Sequence, residues 1–364
     1  METEPLALGL SPVGRGGVNA PHNRFEQVRL EVDWEQLAAD DEYLTEPRKL
    51  RTEFYDDQTR SLIVENNSPD IPFRYSINAY RGCEHGCAYC YARPGHEYLG
   101  MNAGLDFESR IMVKRDAPRL LRDELNRPKW TGELIVMSGV TDCYQPAERV
   151  FRLTRGCLEV MLEAGQCTGL ITKNVLVTRD IDLLAQLASR NLTRVYISVT
   201  TLDAELARCL EPRTATPLAR LRAIRELSAA GVPVGVMVAP IIPGLNDQEI
   251  PAILAAVREA GARWAGTQLL RLPLAVEPIF VDWLRRERPL AVDRVLALIR
   301  ETRDGELNSS EFVTRMRGTG LYAEQIRRTF KVFAKRHQLD RPLPALDTTQ
   351  FRPPTPVNGQ LRLF

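Results

Sequence analysis

The 364-residue sequence predicts an α/β fold, a parallel sheet curved into a partial barrel with helices outside. Three observations carry that expectation. Strand-like apolar runs alternate with amphipathic helical stretches from Ser76 onward. Each such run is followed by a helical stretch, as parallel connections require. Glycines stand where the helices should end.

In chain order, Ser76 to Tyr80 reads as a short first strand leading into a cysteine-rich loop. Glu133 to Met137, Leu170 to Lys173, Val195 to Thr200, Val232 to Ala239 and Thr267 to Leu272 read as further strands. Helical patterning covers Ala117 to Leu125, Ala147 to Glu163, Ile181 to Ser189, Leu218 to Ala230 and Glu249 to Ala260. Gly165, Gly231 and Gly261 supply the expected C-terminal caps. Six strands suit a partial (β/α)6 TIM-type barrel, in which function gathers at the C-terminal strand ends.

Residues 1–70 show little periodicity and read as an N-terminal arm, flexible around Gly14 to Gly17 and Asn19 to Asn23. Residues 71–275 form the expected core domain. Residues 276–364 read as a helical C-terminal extension, with Tyr322 to Arg336 its clearest helix and a Pro-rich tail beyond. With 44% hydrophobic and 26% charged residues, the chain can bury a large core without staples. The net charge of +1 neither demands a nucleic-acid partner nor excludes a local basic groove. No stretch approaches a membrane span, and the acidic start makes a poor signal peptide, so a soluble, cytoplasmic protein without a membrane partner is expected.

Seven cysteines is an odd count, and three fall within eight residues, in Tyr80-Arg-Gly-Cys83-Glu-His-Gly-Cys87-Ala-Tyr-Cys90-Tyr91. In a reducing compartment such clustering reads as metal ligation. Three thiolates at spacings of four and three can wrap one iron–sulfur cluster, and Gly82 and Gly86 permit the turns. A cubane has four irons, so three ligands leave one iron open, the mark of a reactive site. The alternative is a structural zinc site completed by His85, which lies inside the loop and would strain to join a tetrahedron.

This CxxxCxYC loop after a first strand resembles the signature of the radical S-adenosylmethionine (SAM) superfamily. Further pieces are similar to its spore photoproduct lyase-like branch, often labelled "DNA repair photolyase". They are Gly139-Val-Thr-Asp142-Cys-Tyr-Gln-Pro146, Thr172-Lys173, Glu211-Pro-Arg213 and Ala239-Pro-Ile-Ile-Pro-Gly-Leu-Asn246-Asp247. The resemblance runs from about Ile77 to Leu272 and points to an uncharacterised bacterial subgroup. It implies a radical SAM core domain binding one [4Fe–4S] cluster through Cys83, Cys87 and Cys90. It also implies reductive cleavage of SAM to a 5′-deoxyadenosyl radical, an electron donor of the flavodoxin or ferredoxin type, and a lyase-like reaction on a nucleic-acid lesion or base in DNA or RNA. Radical modification of a protein or a small molecule is the alternative.

Under that resemblance, Thr141 and Asp142 would hold the methionyl ammonium of SAM, although the Gly-Gly-Glu common at that point is absent; a turn capped by Asp142 is the plainer reading. Lys173 and Arg213 would neutralise the SAM carboxylate, with surface ion pairs as the alternative. Ser198 would bond the ribose or a neighbouring backbone group. Pro240 to Pro243 would shape the adenine side. Cys143 would donate a hydrogen atom to a product radical, or is a small buried residue. Cys157, Cys167 and Cys209 lack ligand spacing. Tyr91, Tyr98 and Tyr144 would line the cavity or simply pack. Arg15, Arg24 and the basic helix bearing Arg327, Arg328, Lys331, Lys335 and Arg336 are candidates for phosphate contact or for solvated surface. His22, His96 and His337 belong to no catalytic grouping.

Overall fold

The structure is a computed structural model that describes residues 15–17, 21, 23–25 and 51–355. Gly14, Asn19, His22 and the end of the Pro-rich tail lie outside the described residues.

Ten strands are present among the described residues: β1 Glu53–Asp56, β2 Ile63–Glu65, β3 Tyr75–Ile77, β4 Tyr80–Arg81, β5 Arg110–Val113, β6 Ile135–Met137, β7 Thr168–Thr172, β8 Thr193–Ser198, β9 Val234–Ile241 and β10 Trp264–Leu269. Six of them form a parallel array in the order β10-β9-β8-β7-β6-β3, and β2 closes the β3 edge antiparallel. This is the expected partial barrel, its sheet reaching back to Ile63. The strands read as apolar runs because both faces are covered: Ile135, Val136, Met137, Leu170, Val195, Val236 and Val238 are all buried. Each such side chain contributes about 1.5–3 kcal/mol over an exposed one.

Helices Ala117–Leu125 and Ile181–Ser189 have the predicted bounds, and Pro217–Ala229 and Ile250–Glu259 lie within a residue of theirs. The stretch read as one helix from Ala147 is two, Glu148–Phe151 and Leu153–Ala164, broken at Arg152, whose φ is +52°. The buried carboxylate of Glu148 holds the break by accepting from the backbone N–H of Thr154 at 3.1 Å. Such a side-chain cap is invisible to periodicity.

The sixth strand ends earlier than its apolar run. Leu270 and Leu272 leave the sheet and bury against helices Val276–Glu287 and Val292–Glu301 in a second core cluster. The first strand is also shorter than expected. It stops at Ile77, and Tyr80–Arg81 joins a separate small sheet, β1-β5-β4. That sheet launches the cysteine loop: the N–H of Cys83 donates to Phe107 O at 2.9 Å.

The chain's last described segment crosses the N-terminal ends of the strands. Arg194 donates to Pro344 O at 2.9 Å, Asp347 N to Asn191 O at 3.0 Å and Arg352 N to Ala164 O at 2.8 Å. The opposite end of the barrel stays open and carries the site.

Candidate active site at the cysteine loop

Cys83, Cys87 and Cys90 line one cavity of about 230 Å³ at the C-terminal strand ends. Gly82 and Gly86 turn the loop with φ of +79° and +65°. A Cβ on Gly86 would come within 2.6 Å of Arg15 Cβ, so the position has no room for one. Glu84 N donates to Gln145 Oε1 at 2.9 Å and Gln145 Nε2 to Gly82 O at 3.1 Å, which ties the loop to the Gly139–Pro146 segment. Under the loop, the wholly buried Arg93 donates to Cys87 O and to Ala103 O and pairs with Glu108 at 2.5 Å. Glu108 also accepts from the backbone N–H groups of Arg15 and Gly17 at 2.7 and 2.6 Å. The described part of the N-terminal segment is therefore a strap on the loop. Arg15 and Arg24 are engaged there, Arg15 with Glu108 and Arg24 with Glu97 at 3.2 Å.

Burial pushes all three thiols above their ordinary pKa, Cys83 further so beside Cys90 and Asp142, Cys87 further so beside Glu211. Three thiols facing one cavity, Cys83 and Cys87 buried and Cys90 half-buried, become thiolates against a cationic partner, and an iron–sulfur cluster supplies it. The donor set fits that group. His85 does not complete a tetrahedral site: Nδ1 lies 3.4 Å from Asp142 Oδ2 and Nε2 3.2 Å from Asn174 Nδ2. Among the described residues, no three His, Cys, Asp or Glu side chains gather closely enough to hold one metal ion.

The remaining walls come from the strand ends. Ser138, Thr141, Asp142, Lys173, Ser198, Pro240 and Arg271 all line the cavity. Asp142 is the hub. It accepts from Thr172 Oγ1 and from the N–H groups of Lys173 and Tyr144, each at 2.8 Å. Thr141 Oγ1 donates to Tyr80 O at 2.9 Å. The Pro240 loop is fixed by Asn246, whose Nδ2 donates to Thr200 O and Pro240 O and whose Oδ1 accepts from Ile242 N.

Lys173 reaches the cavity with its Nζ 3.8 Å from the buried Glu211. Burial opposes the charge on Glu211, but Arg220 and Lys173, with hydrogen bonds from Tyr89 and Thr200, outweigh it and bring the carboxyl down to about 2. Glu211 and Arg220 form a buried ion pair under the cavity floor.

Two expected residues stand elsewhere. Arg213 is not on the cavity wall. Its guanidinium pairs with Glu84 at 2.8 Å, behind the cysteine loop. Cys143 is buried in the main apolar core and also off the wall, because its segment turns there to place Asp142 instead. Tyr91 does line the cavity, and its hydroxyl donates to Gly139 O at 2.8 Å, whereas Tyr144 packs inside and Tyr98 is exposed. Sequence reading passed over Arg93, Glu108, Gln145, Arg220 and Arg271. Glu108 and Gln145 bond partners more than sixty residues away in sequence, whereas Arg93 and Arg220 serve partners only 5 to 22 residues away. Arg271 sat inside a run read as strand.

The comparisons agree with this architecture. The family model for the radical SAM superfamily matches residues 77–257. The chain is 39% identical over 236 residues to the uncharacterized protein Rv2578c of Mycobacterium tuberculosis, covering 64% of this chain and 69% of that protein. It is 32% identical over 184 residues to the uncharacterized protein MJ0683 of Methanocaldococcus jannaschii, covering 50% of this chain and 66% of that one. Among solved structures, a spore photoproduct lyase variant superposes with a TM-score of 0.55 at 16% identity, over 87% of this chain and 86% of its own. Spore photoproduct lyase complexed with dinucleoside spore photoproduct gives 0.53 at 17% identity, over 78% of each chain. The chain belongs to the radical SAM superfamily. Its cofactors are accordingly a [4Fe–4S] cluster and SAM. Among the described residues, no helix is long and apolar enough to cross a membrane.

Proposed function

We propose that the protein holds one [4Fe–4S] cluster through Cys83, Cys87 and Cys90, cleaves SAM reductively and directs the radical at a nucleic-acid base or lesion. The observation that carries the cofactor chemistry is the convergence of three thiols, Lys173 and Asp142 on one cavity at the strand ends. When bound, the reduced cluster supplies the electron that splits SAM into methionine and a 5′-deoxyadenosyl radical. The chain's own residues do the rest. Lys173 faces the cavity as the cation for the SAM carboxylate, held in place by Glu211. Asp142 orients the loop above it, and Ser198 and the Pro240 loop border the space left for the nucleoside. The buried walls, with Cys87 and Tyr89 at most 8% exposed, keep water from a radical. A flavodoxin- or ferredoxin-type protein is the proposed electron donor.

The substrate class is supported by the dinucleoside lesion held by the fold neighbour, a protein alike in fold alone. The exposed basic face of helix Gly320–Arg336 adds less. That helix starts near the open end, where Gly318 abuts Leu269, and runs away to Leu339, which bonds Ala265 at the start of β10. Lys335 and Arg336 thus sit at the end of the barrel opposite the cavity.

Anaerobic reconstitution tests the reading. About four irons per chain and release of 5′-deoxyadenosine from SAM on reduction are the expected results. Alanine at Cys83, Cys87 or Cys90 should abolish both, and full activity in the Cys87→Ala protein would overturn the assignment.

A further inference from the structure

Beyond the last residue of β10 the charges do not balance. Arg271 lines the cavity, and its guanidinium meets only the thioether of Met316, at 3.9 Å, while its Nε is buried with no hydrogen-bond partner among the described residues. Behind it lies Arg303, 3% exposed, which donates to Thr314 O at 2.9 Å and to Leu270 O; its Nε also has no partner. The third guanidinium, Arg315, is already matched by Asp70, Nε to Oδ2 at 2.6 Å. Among the described residues, no carboxylate lies within 4.0 Å of Arg271 or Arg303.

Buried cations are ordinarily paired, because leaving water is costly and only a counter-charge offsets it. Two neighbouring guanidinium groups without one repel each other. Burial and Arg271 bring Arg303 down to about 10, and burial and Arg315 lower Arg271, against a smaller opposing effect of Asp70 and Tyr91. The known cofactors do not require this cation: SAM carries a single carboxylate, and Lys173 already faces the cavity to meet it. Arg271 stands beside half-exposed Tyr91, where the cavity opens to solvent.

We infer that Arg271, backed by Arg303, receives a phosphate group of the substrate at the mouth of the cavity. This deepens the reading above and rests on it. Two unmatched positive charges suit a phosphate better than a singly charged planar carboxylate, and the guanidinium fork presents parallel donors to its oxygens. The contact would fix the substrate's register against the radical, leaving the apolar wall of Met237, Leu269 and Leu270 for its uncharged part.

The test uses the anaerobically reconstituted full chain and inorganic phosphate as the probe, by equilibrium dialysis. Wild type should bind phosphate saturably. Arg271→Gln should weaken that binding by about tenfold or more, and Arg271→Lys should recover part of it. Phosphate should raise the melting temperature of wild type and not of Arg271→Gln. Without phosphate, Arg271→Gln should melt no lower than wild type, since it removes an unmatched charge. Equal phosphate affinity in wild type and Arg271→Gln would overturn the proposal. So would a variant that loses SAM affinity in place of phosphate affinity, because Arg271 would then be a SAM ligand. Arg271-dependent phosphate binding in a protein that binds no SAM would support the anion site and sink the functional reading instead. Competition against bound phosphate by a nucleoside monophosphate and by a short single-stranded oligonucleotide separates a terminal phosphate from a backbone one.

Discussion

Arg93 and Arg303 are both almost wholly buried, yet the chain treats their charges in opposite ways. Arg93, under the cysteine loop, meets Glu108 and a set of backbone carbonyls. Arg303, behind the far wall of the cavity, meets two carbonyls and, among the described residues, no carboxylate. The pattern extends to their neighbours. Arg220 has Glu211 and Arg213 has Glu84, whereas Arg271 has none among the described residues. The cluster side is a scaffold whose charges are matched before any ligand arrives, so its geometry is fixed in advance. The mouth leaves charge unmatched, which is how a protein reserves a place for something it does not itself contain.

The sharpest way to break that contrast is at Glu108. Glu108→Gln keeps the shape but leaves Arg93 without a counter-charge and weakens the bonds from Arg15 and Gly17. Breaking one partner of a buried pair costs about 3–5 kcal/mol. Chemical denaturation of the cluster-free protein should register that loss, and the reconstituted variant should shed iron faster than wild type. A variant as stable as wild type would mean that the cluster side is not the matched scaffold described.

His96 lies on the same side, its ring against Phe107 and its Nε2 donating to Arg110 O at 3.0 Å. Burial pushes its pKa down from 6.5 to about 4, opposed by the Arg110 carbonyl and Asp106, with the Arg110 charge adding a little to the lowering. The folded value lies below the unfolded one, so the unfolded chain takes the proton first. The contribution is whole above 6.5 and is lost as pH falls toward 4. It amounts to about 3 kcal/mol at most. His96→Gln keeps a donor but cannot titrate, so its stability should fall less steeply over that window. An unchanged slope would remove His96 from the account.

The cysteine spacing, the parallel strands and five of the helices, Gly320–Arg336 among them, were legible because each depends on neighbours close in sequence. Ala117–Leu125 and Ile181–Ser189 announce themselves by period alone. What stayed hidden depends on distant partners. The N–H groups of Arg15 and Gly17 find Glu108 more than ninety residues on, and nothing local to Glu108 says so. The strand-like run Thr267 to Leu272 misled because burial against helices reads the same as burial in a sheet. Arg271 lies inside that run, which hides its place on the cavity wall. Arg213 is hidden for a different reason: its motif is near the site in sequence, but its side chain turns behind the loop to Glu84.

At the cavity itself, Lys173→Ala sharpens the comparison. The ammonium sits between the matched and unmatched sides, 3.8 Å from Glu211 yet on the wall. Loss of a charged hydrogen bond to the SAM carboxylate should weaken SAM binding by about 1.5–3 kcal/mol, with iron content close to wild type. If SAM affinity holds and thermal stability falls, Lys173 serves only the Glu211 network.

Arg213→Ala should have the smallest effect and marks the border between the two sides. A cation in the Glu211-Pro-Arg213 motif invites a role on the SAM carboxylate, and its pairing with Glu84 argues against that role. The side chain is 38% exposed, so solvent screens the pair and its loss should cost within about 1 kcal/mol. Its backbone N–H still donates to His85 O at 3.3 Å in the variant, so the loop keeps its path. Titration of SAM into the reconstituted protein should therefore give the wild-type affinity, alongside the weakened affinity of Lys173→Ala. A loss equal to that of Lys173→Ala would show that Arg213 leaves Glu84 when SAM binds. The cluster side would then lend a charge to the cavity, and the division between matched scaffold and waiting mouth would have to be redrawn with Glu84 as the group left behind.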